Sequence, residues 1–362
     1  MPTLPRYATR LFFTHVGLML VGFVSLLQLL DILNNADEIL ARHGGGVMPL
    51  LRYAWLRLPE SVIYMMPFSV LMGSMLAVAR LAQNNEVLAL KAAGLSFYRL
   101  LLAFVPAALV TAALYFVFSD RLAPAASRAL TQWDAEAAAN GNPSASAVVD
   151  NRVWVRDGAT LVHVSVVFDD GRELRGVTLF RRDPLGNLAE RVTARAASYA
   201  ERGWLLFGVE RLDLTPGSGG IFSRSEESPW ITALSPGHFS DLATPPSGLS
   251  LSELLHFAVN PDVGSRPTYY YETWLQKRIS LPVSVLIMLL LAAPVAQGLQ
   301  RHGGIIAGLA AGTGLGFLYF VTDGFVLALG EAGAIPPALA AWSPALMFAS
   351  LGSAALIRFE GY

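Results

Sequence analysis

The chain has 362 residues, 54% of them hydrophobic and 15% charged, with a mean hydropathy of +0.47 and a net charge of −1. Soluble domains carry about 25% charged residues, so much of this chain is solvated by something other than water, and its balanced charge removes any whole-protein electrostatic case for nucleic acid. It has no cysteine, which excludes disulfides, thiolate metal sites and cysteine nucleophiles and fits an oxidising compartment.

The first apolar run covers residues 11–33, long enough at about 1.5 Å per residue to cross a hydrocarbon core of about 30 Å. It follows Arg6 and Arg10, as in a signal peptide. It exceeds the roughly 7–15-residue apolar region of a signal, however, and no small-x-small cleavage pattern follows, so it reads as an uncleaved helix. Further runs cover residues 62–81, 97–118, 279–298, 303–329 and 337–357, with Pro67, Pro106, Pro282 and Pro294 in or near them. Spanning helices tolerate proline because neighbouring helices satisfy the freed carbonyls.

With the N-terminus inside, the inner segments hold Arg6, Arg10, Arg80, Lys91, Arg99, Arg301 and Arg358 against Glu86 and Glu360. The short outer loops hold Asp37, Glu38, Glu60 and Glu331 beside Arg42, Arg52 and Arg57. The positive-inside rule therefore predicts cytoplasmic termini and an outer position for the large insertion. Lys277 and Arg278 run against it, either snorkelling or facing an aqueous cavity.

The insertion, residues 120–271, alternates polar and apolar residues in short runs at 152–156, 160–164 and 176–180. Turn chemistry separates them at 156–158, 169–171, 183–186 and 201–203. Half-buried strands at this spacing predict a sandwich or jelly roll, with Trp154 and Trp204 in its core. Pro245-Pro246 then breaks the chain, and Ser250-Leu-Ser-Glu253 reads as a capping box opening a short helix. The predicted organisation is thus an α-helical membrane protein with six spans and an inserted all-β domain. Residues 1–119 hold three spans and a short inner helix near 82–94, residues 120–270 the β domain with its linkers, and residues 271–362 the last three spans.

Chemistry-bearing patterns are few. Glycine never directly precedes lysine, so no Gly-Lys-Ser/Thr phosphate cradle can form, and neither Gly-x-Ser-x-Gly nor His-Glu-x-x-His occurs. The six histidines, His15, His43, His163, His238, His256 and His302, lack metal-ligand spacing. Work across a membrane would need a gradient or another chain to drive it. Asp323 is unusual within an apolar run, and the small residues Gly308, Gly312, Gly314 and Gly316 predict close helix packing.

The most informative segment is residues 81–96, between the second and third spans. Asn84 or Asn85 can cap a short helix that carries Glu86 in its first turn, where the helix dipole favours an anion. Gly94 ends it, Ser96 caps the next span, and Val87, Leu88, Leu90 and Leu95 supply an apolar face. Pattern alone leaves two readings open, a helix lying on the inner leaflet or a docking helix for a groove on a cytoplasmic motor.

Several stretches together resemble the LptF/LptG permease family of the lipopolysaccharide export transporter. They are Leu58-Pro-Glu60, Pro67, Leu71-Met-Gly73, Arg80-Leu-Ala-Gln-Asn-Asn-Glu86, Ala92-Ala-Gly-Leu-Ser96, Arg152-Val-Trp-Val-Arg-Asp-Gly158 and Tyr271-Glu-Thr-Trp-Leu-Gln-Lys-Arg-Ile-Ser-Leu-Pro282. Each motif is loose, but their order is specific and spans nearly the whole chain. The likeness leans toward the G rather than the F branch.

The resemblance implies a bacterial inner-membrane location and pairing with a homologous LptF-like permease. It implies a cavity for lipopolysaccharide opening to the outer leaflet between the first and fifth helices, and a periplasmic jelly roll handing lipid to LptC-like and LptA-like partners. An LptB-like ATPase dimer would bind the ATP and magnesium, leaving this chain without a cofactor. Glu86 would be the coupling carboxylate, with Asn84, Asn85 and Leu90 packing on the motor. Relatives place lysines near the outer end of the first helix, where this chain has Gln28, Asn34 and Asn35, while Asp31 matches. Expected arginines after the third helix fall on Thr131 and Asp134. Either Arg42, Arg52, Arg57, Arg121, Lys277 and Arg278 take over the anion contacts, or the headgroup carries less phosphate. The rival classes are a membrane-anchored scaffold and an intramembrane enzyme, the latter disfavoured by the lack of paired catalytic groups at matching depth.

Overall fold

The computed structural model describes residues 3–92, 97–139, 153–168, 171–183, 187–200, 203–214, 221–232, 234–237, 239, 246–260, 266–302 and 304–360. In chain order, α1 is Thr3–His43, α2 Val47–Gln83, α3 Glu86–Ala92, α4 Phe97–Val117 and α5 Ala123–Ala139, with a π-helical segment at Phe118–Leu122 joining the last two. Strands β1 (Val153–Asp157), β2 (Thr160–Phe168), β3 (Glu173–Arg182), β4 (Leu188–Ala200), β5 (Gly203–Asp213) and β6 (Phe222–Trp230) follow. The chain ends in α6 (Leu251–Val259), α7 (Thr268–His302), α8 (Gly304–Glu331) and α9 (Pro337–Glu360).

Among the described residues, six helices are long and apolar enough to cross a membrane. Several outrun the apolar runs that announce them: the first span extends to His43 and the second begins at Val47. Hydropathy marks only the greasy part of a helix, whereas local polar pairs such as Glu38 with Arg42, one turn apart, let it continue.

The chain divides into two compact units. The first comprises Met1–Leu33, Arg57–Ala123 and Glu272–Tyr362. Its core holds Phe12, Met75, Phe104, Tyr115, Met288 and Phe348, all fully buried. Glycines set the closest approaches. A Cβ on Gly73 would lie 2.6 Å from the Val16 Cα, so α1 and α2 meet backbone to backbone. Gly312 and Gly316 of α8 face Met75 and Phe68 of α2 with no room for a side chain. Pro67 lacks the amide that would bond the carbonyl four residues earlier, that of Ile63. The Tyr115 hydroxyl donates to that carbonyl at 2.9 Å, so α4 satisfies the group freed in α2.

The second unit comprises Asn34–Leu56 and Pro124–Tyr271. Its six strands form one antiparallel sheet in sequence order, each pairing with its neighbour. The inserted β domain is thus present, as a meander; no jelly-roll crossover occurs among the described strands. One face is the core, with Val155, Val162, Leu174, Val192, Leu206 and Trp230 among its members. Inward positions follow the period of two as far as Val164, Val177, Ala194 and Val209, which are register partners across β2–β5. The next inward residues along those strands are Val167, Leu174, Ala197 and Leu206, three positions away rather than two. The phase slips along one line crossing four strands. Gly176 and Gly208 lie on that line at φ 64° and 63°, where a Cβ would collide with Ser165 and Arg195.

Trp204 is buried and its indole donates to the Leu234 carbonyl at 2.8 Å. Trp154 corrects the sequence reading. It is 41% exposed because Val153 and Val155 take the inward positions on either side. Its ring lies on the outward face, 4.5 Å from His163 and 5.9 Å from Phe180. The capping box of α6 forms as read, with reciprocal Ser250 and Glu253 bonds, and Glu253 also accepts from Arg128 at 2.6 Å.

Candidate functional site

The turn between α2 and α3 is built from Asn84, Asn85 and Glu86. Asn85 has φ 56°, a left-handed conformation that asparagine adopts more readily than other non-glycine residues. The Ala89 amide donates to its carbonyl at 3.0 Å, so Asn85 opens α3. Asn84 uses its side chain differently from the capping role: its amide donates to Glu86 Oε1 at 3.3 Å. The same oxygen accepts the Tyr7 hydroxyl of α1 at 3.1 Å. Val87 is buried in the core of the first unit, which seats the start of α3. Leu90 belongs to α3, but its side chain, like those of Leu88 and Lys91, lies outside the described part; Gly94, Leu95 and Ser96 lie outside the described residues.

In the first unit, Gln28, Asp31, Arg57, Lys277 and Arg278 have internal partners, while Arg121 is exposed. Gln28 is buried and donates to the Ser61 hydroxyl at 3.1 Å. Arg57 lies 3.6 Å from Asp31 and forms a second ion pair with Glu60, so α1 and α2 bring together one cation and two carboxylates. Lys277 pairs with Asp323 of α8, and both are largely shielded. Arg278 is buried and donates to the Ser119 carbonyl in the π-helical segment, where the wider helical turn breaks the regular pattern of carbonyl pairing. Nearby, the Trp274 indole donates to Glu331 at 2.7 Å and the Trp342 indole to Gln276 at 3.1 Å. One stretch of α7 thus carries polar contacts to α8, α9 and the π-helical segment.

In the second unit, Asn34 is exposed and Asn35 half-buried. A cavity of about 670 Å³ lies beside Arg42, His43, Met48, Arg52 and Trp133. The His43 ring stacks on Trp133 with centroids 3.6 Å apart, and the Arg52 guanidinium stands 5.2 Å from the same ring's centroid. Asp134, where the family likeness calls for an arginine, lies 3.4 Å from His43 and 3.9 Å from Arg42. The acidic residue on α5 thus faces the Arg42 guanidinium and the His43 ring at the end of α1. The pairings of His43 with Trp133 and of Tyr7 with Glu86 are not legible in the sequence. The partners are 90 and 79 positions apart, and no short-range pattern announces such pairs.

The comparisons with known proteins agree over nearly the full chain. The profile of the family described as lipopolysaccharide export system permease LptF/LptG matches residues 6–358. The lipopolysaccharide export system permease protein LptG of Escherichia coli (strain K12) is 25% identical over 350 residues, covering 95% of each chain. Its counterpart from Haemophilus influenzae (strain ATCC 51907 / DSM 11121 / KW20 / Rd) is 24% identical over 350 residues, covering 96% of each. Six apolar helices, an inserted antiparallel β domain and a match from end to end together make this chain a member of the LptF/LptG family of lipopolysaccharide export permeases.

Proposed function

We propose that this permease is one of two that pair in the bacterial inner membrane, with an ATPase dimer docked on the cytoplasmic side. Lipopolysaccharide enters from the outer leaflet, and ATP-driven closure passes it to the β domain and on to a periplasmic bridge. ATP and magnesium belong to the motor partner; this chain couples and guides. Both termini are cytoplasmic and the β domain is periplasmic, a reading supported by the excess of Arg and Lys over Glu in the inner segments.

The observation that carries the coupling role is the acidic start of α3. Glu86 stands at the tip of a seven-residue helix between two long apolar ones, where its neighbour Val87 is anchored in the core. A short helix so seated moves with the bundle and offers a carboxylate to a partner's cations. Closing the cavity re-exposes acyl chains at roughly 0.8 kcal/mol per methylene unless they pass onto other apolar surface. That cost favours a continuous apolar track into the β domain over release into water.

For the headgroup, Arg42 and Arg52 beside their cavity are the cations we assign to the phosphates. Within the first unit, Arg57, Lys277 and Arg278 would contact phosphate only after leaving Asp31 and Glu60, Asp323 and the Ser119 carbonyl. The test is reconstitution in proteoliposomes with the ATPase, the second permease and labelled lipopolysaccharide. Wild-type protein releases lipid only with ATP, and Glu86→Ala lowers release or motor association at least several-fold. A permease that neither retains the ATPase on purification nor releases lipid would point instead to a membrane-anchored scaffold.

A further inference from the structure

We infer that Tyr7 is a positioning residue for Glu86, holding the coupling carboxylate in one orientation and tying α3 to the first turns of α1. The inference rests on the reading of Glu86 as the contact with the motor. Two donors converge on Glu86 Oε1, the Tyr7 hydroxyl at 3.1 Å and the Asn84 side-chain amide at 3.3 Å. With both on one oxygen, Oε2 takes no hydrogen bond among the described residues and can accept a donor from outside.

The two donors differ in what they report. Asn84 sits two residues before Glu86 and its backbone amide donates to the Arg80 carbonyl at 3.2 Å, so it ties the carboxylate only to α2, the helix that leads into the turn. Tyr7 comes from another helix, and the residues behind it are fixed: Ala8, Leu11 and Phe12 are buried in the first unit's core. Phe12 packs on Phe104 with centroids 6.2 Å apart. Val87, next to Glu86, is buried in the same core. The phenol has only two rotatable bonds, so its hydroxyl is a stiff reference point. A displacement of α3 by a motor therefore either carries the start of α1 with it or breaks this bond. Tyr7 is 43% exposed and Glu86 half-buried, so both remain within reach of a partner protein.

The experiment is a double-mutant cycle in the reconstituted complex, reading lipid released per ATP hydrolysed. Tyr7→Phe removes only the hydroxyl and lowers that ratio about three-fold or more, with the thermal midpoint of the purified permease unchanged. Tyr7→Leu, which removes the hydroxyl with different packing, gives the same loss. If Tyr7 acts through Glu86, Tyr7→Phe/Glu86→Ala is no worse than Glu86→Ala alone. Losses that simply add, or a wild-type ratio in Tyr7→Phe while Glu86→Ala is impaired, would overturn the positioning role and leave the coupling role of Glu86 standing. A wild-type ratio in Glu86→Ala would remove both.

Discussion

Pro67 and Tyr115 form a pair in which one residue creates a need and the other meets it. Away from water, an unsatisfied carbonyl costs several kcal/mol, and Tyr115 donates to Ile63 from a fully buried position. Tyr115→Phe is expected to lower the stability of the solubilised permease by about 1–3 kcal/mol, read as a fall in its thermal unfolding midpoint. Pro67→Ala returns an amide to α2, so Tyr115→Phe in that background should cost much less; equal losses in the two backgrounds would refute the pairing. The sequence announces the proline and its unmet carbonyl, but not the donor, which lies 52 positions away. Tyr7 is invisible for the same reason. Trp154 fails differently: period two is correct for β1, but Val153 and Val155 take the inward phase, and a tryptophan's size does not choose the face.

At the level of elements, the sheet depends on two glycines that no composition rule marks as special. Gly176 and Gly208 hold left-handed backbone where the inward phase slips by one residue, and each faces a side chain of the neighbouring strand. Alanine at either position adds a Cβ to a strained conformation and a crowded space. Gly176→Ala and Gly208→Ala should each destabilise the β domain by about 1–2 kcal/mol, whereas Gly158→Ala, at a turn with nothing within 4 Å of the added atom, should cost less. Faster amide exchange confined to β2–β5 would locate the damage. The strands themselves are legible as alternating runs with turn residues between them. The slip is not, because a glycine within a strand reads equally as a bulge, a bend or a close contact. The start of the short helix α3 at Glu86 is legible through Asn85, Glu86 and Val87, while the extra length of α1 and α2 beyond the apolar runs is hidden from hydropathy.

At the scale of the whole molecule, Lys277 and Asp323 stand out in the sequence for unrelated reasons, one against the charge rule and the other too deep in an apolar run. Their 46-residue separation conceals that each is the other's explanation. The pair joins α7 to α8 in a shielded setting, where removing one partner strands the other's charge. Lys277→Met should therefore cost about 3–5 kcal/mol of stability, and Lys277→Met/Asp323→Leu should recover most of it. The thermal midpoints of the three purified proteins would decide; a single mutant as stable as wild type would show that the pair bears no weight. The contact at Gly73 and Val16 bears on something else, the room left for lipid between helices. Where two helices touch through main-chain atoms, no slot remains for a methylene chain to slide between them. At that level the α1–α2 seam is closed to hydrocarbon, whereas Leu18, Val21 and Leu29 of α1 stand exposed and open to an acyl tail.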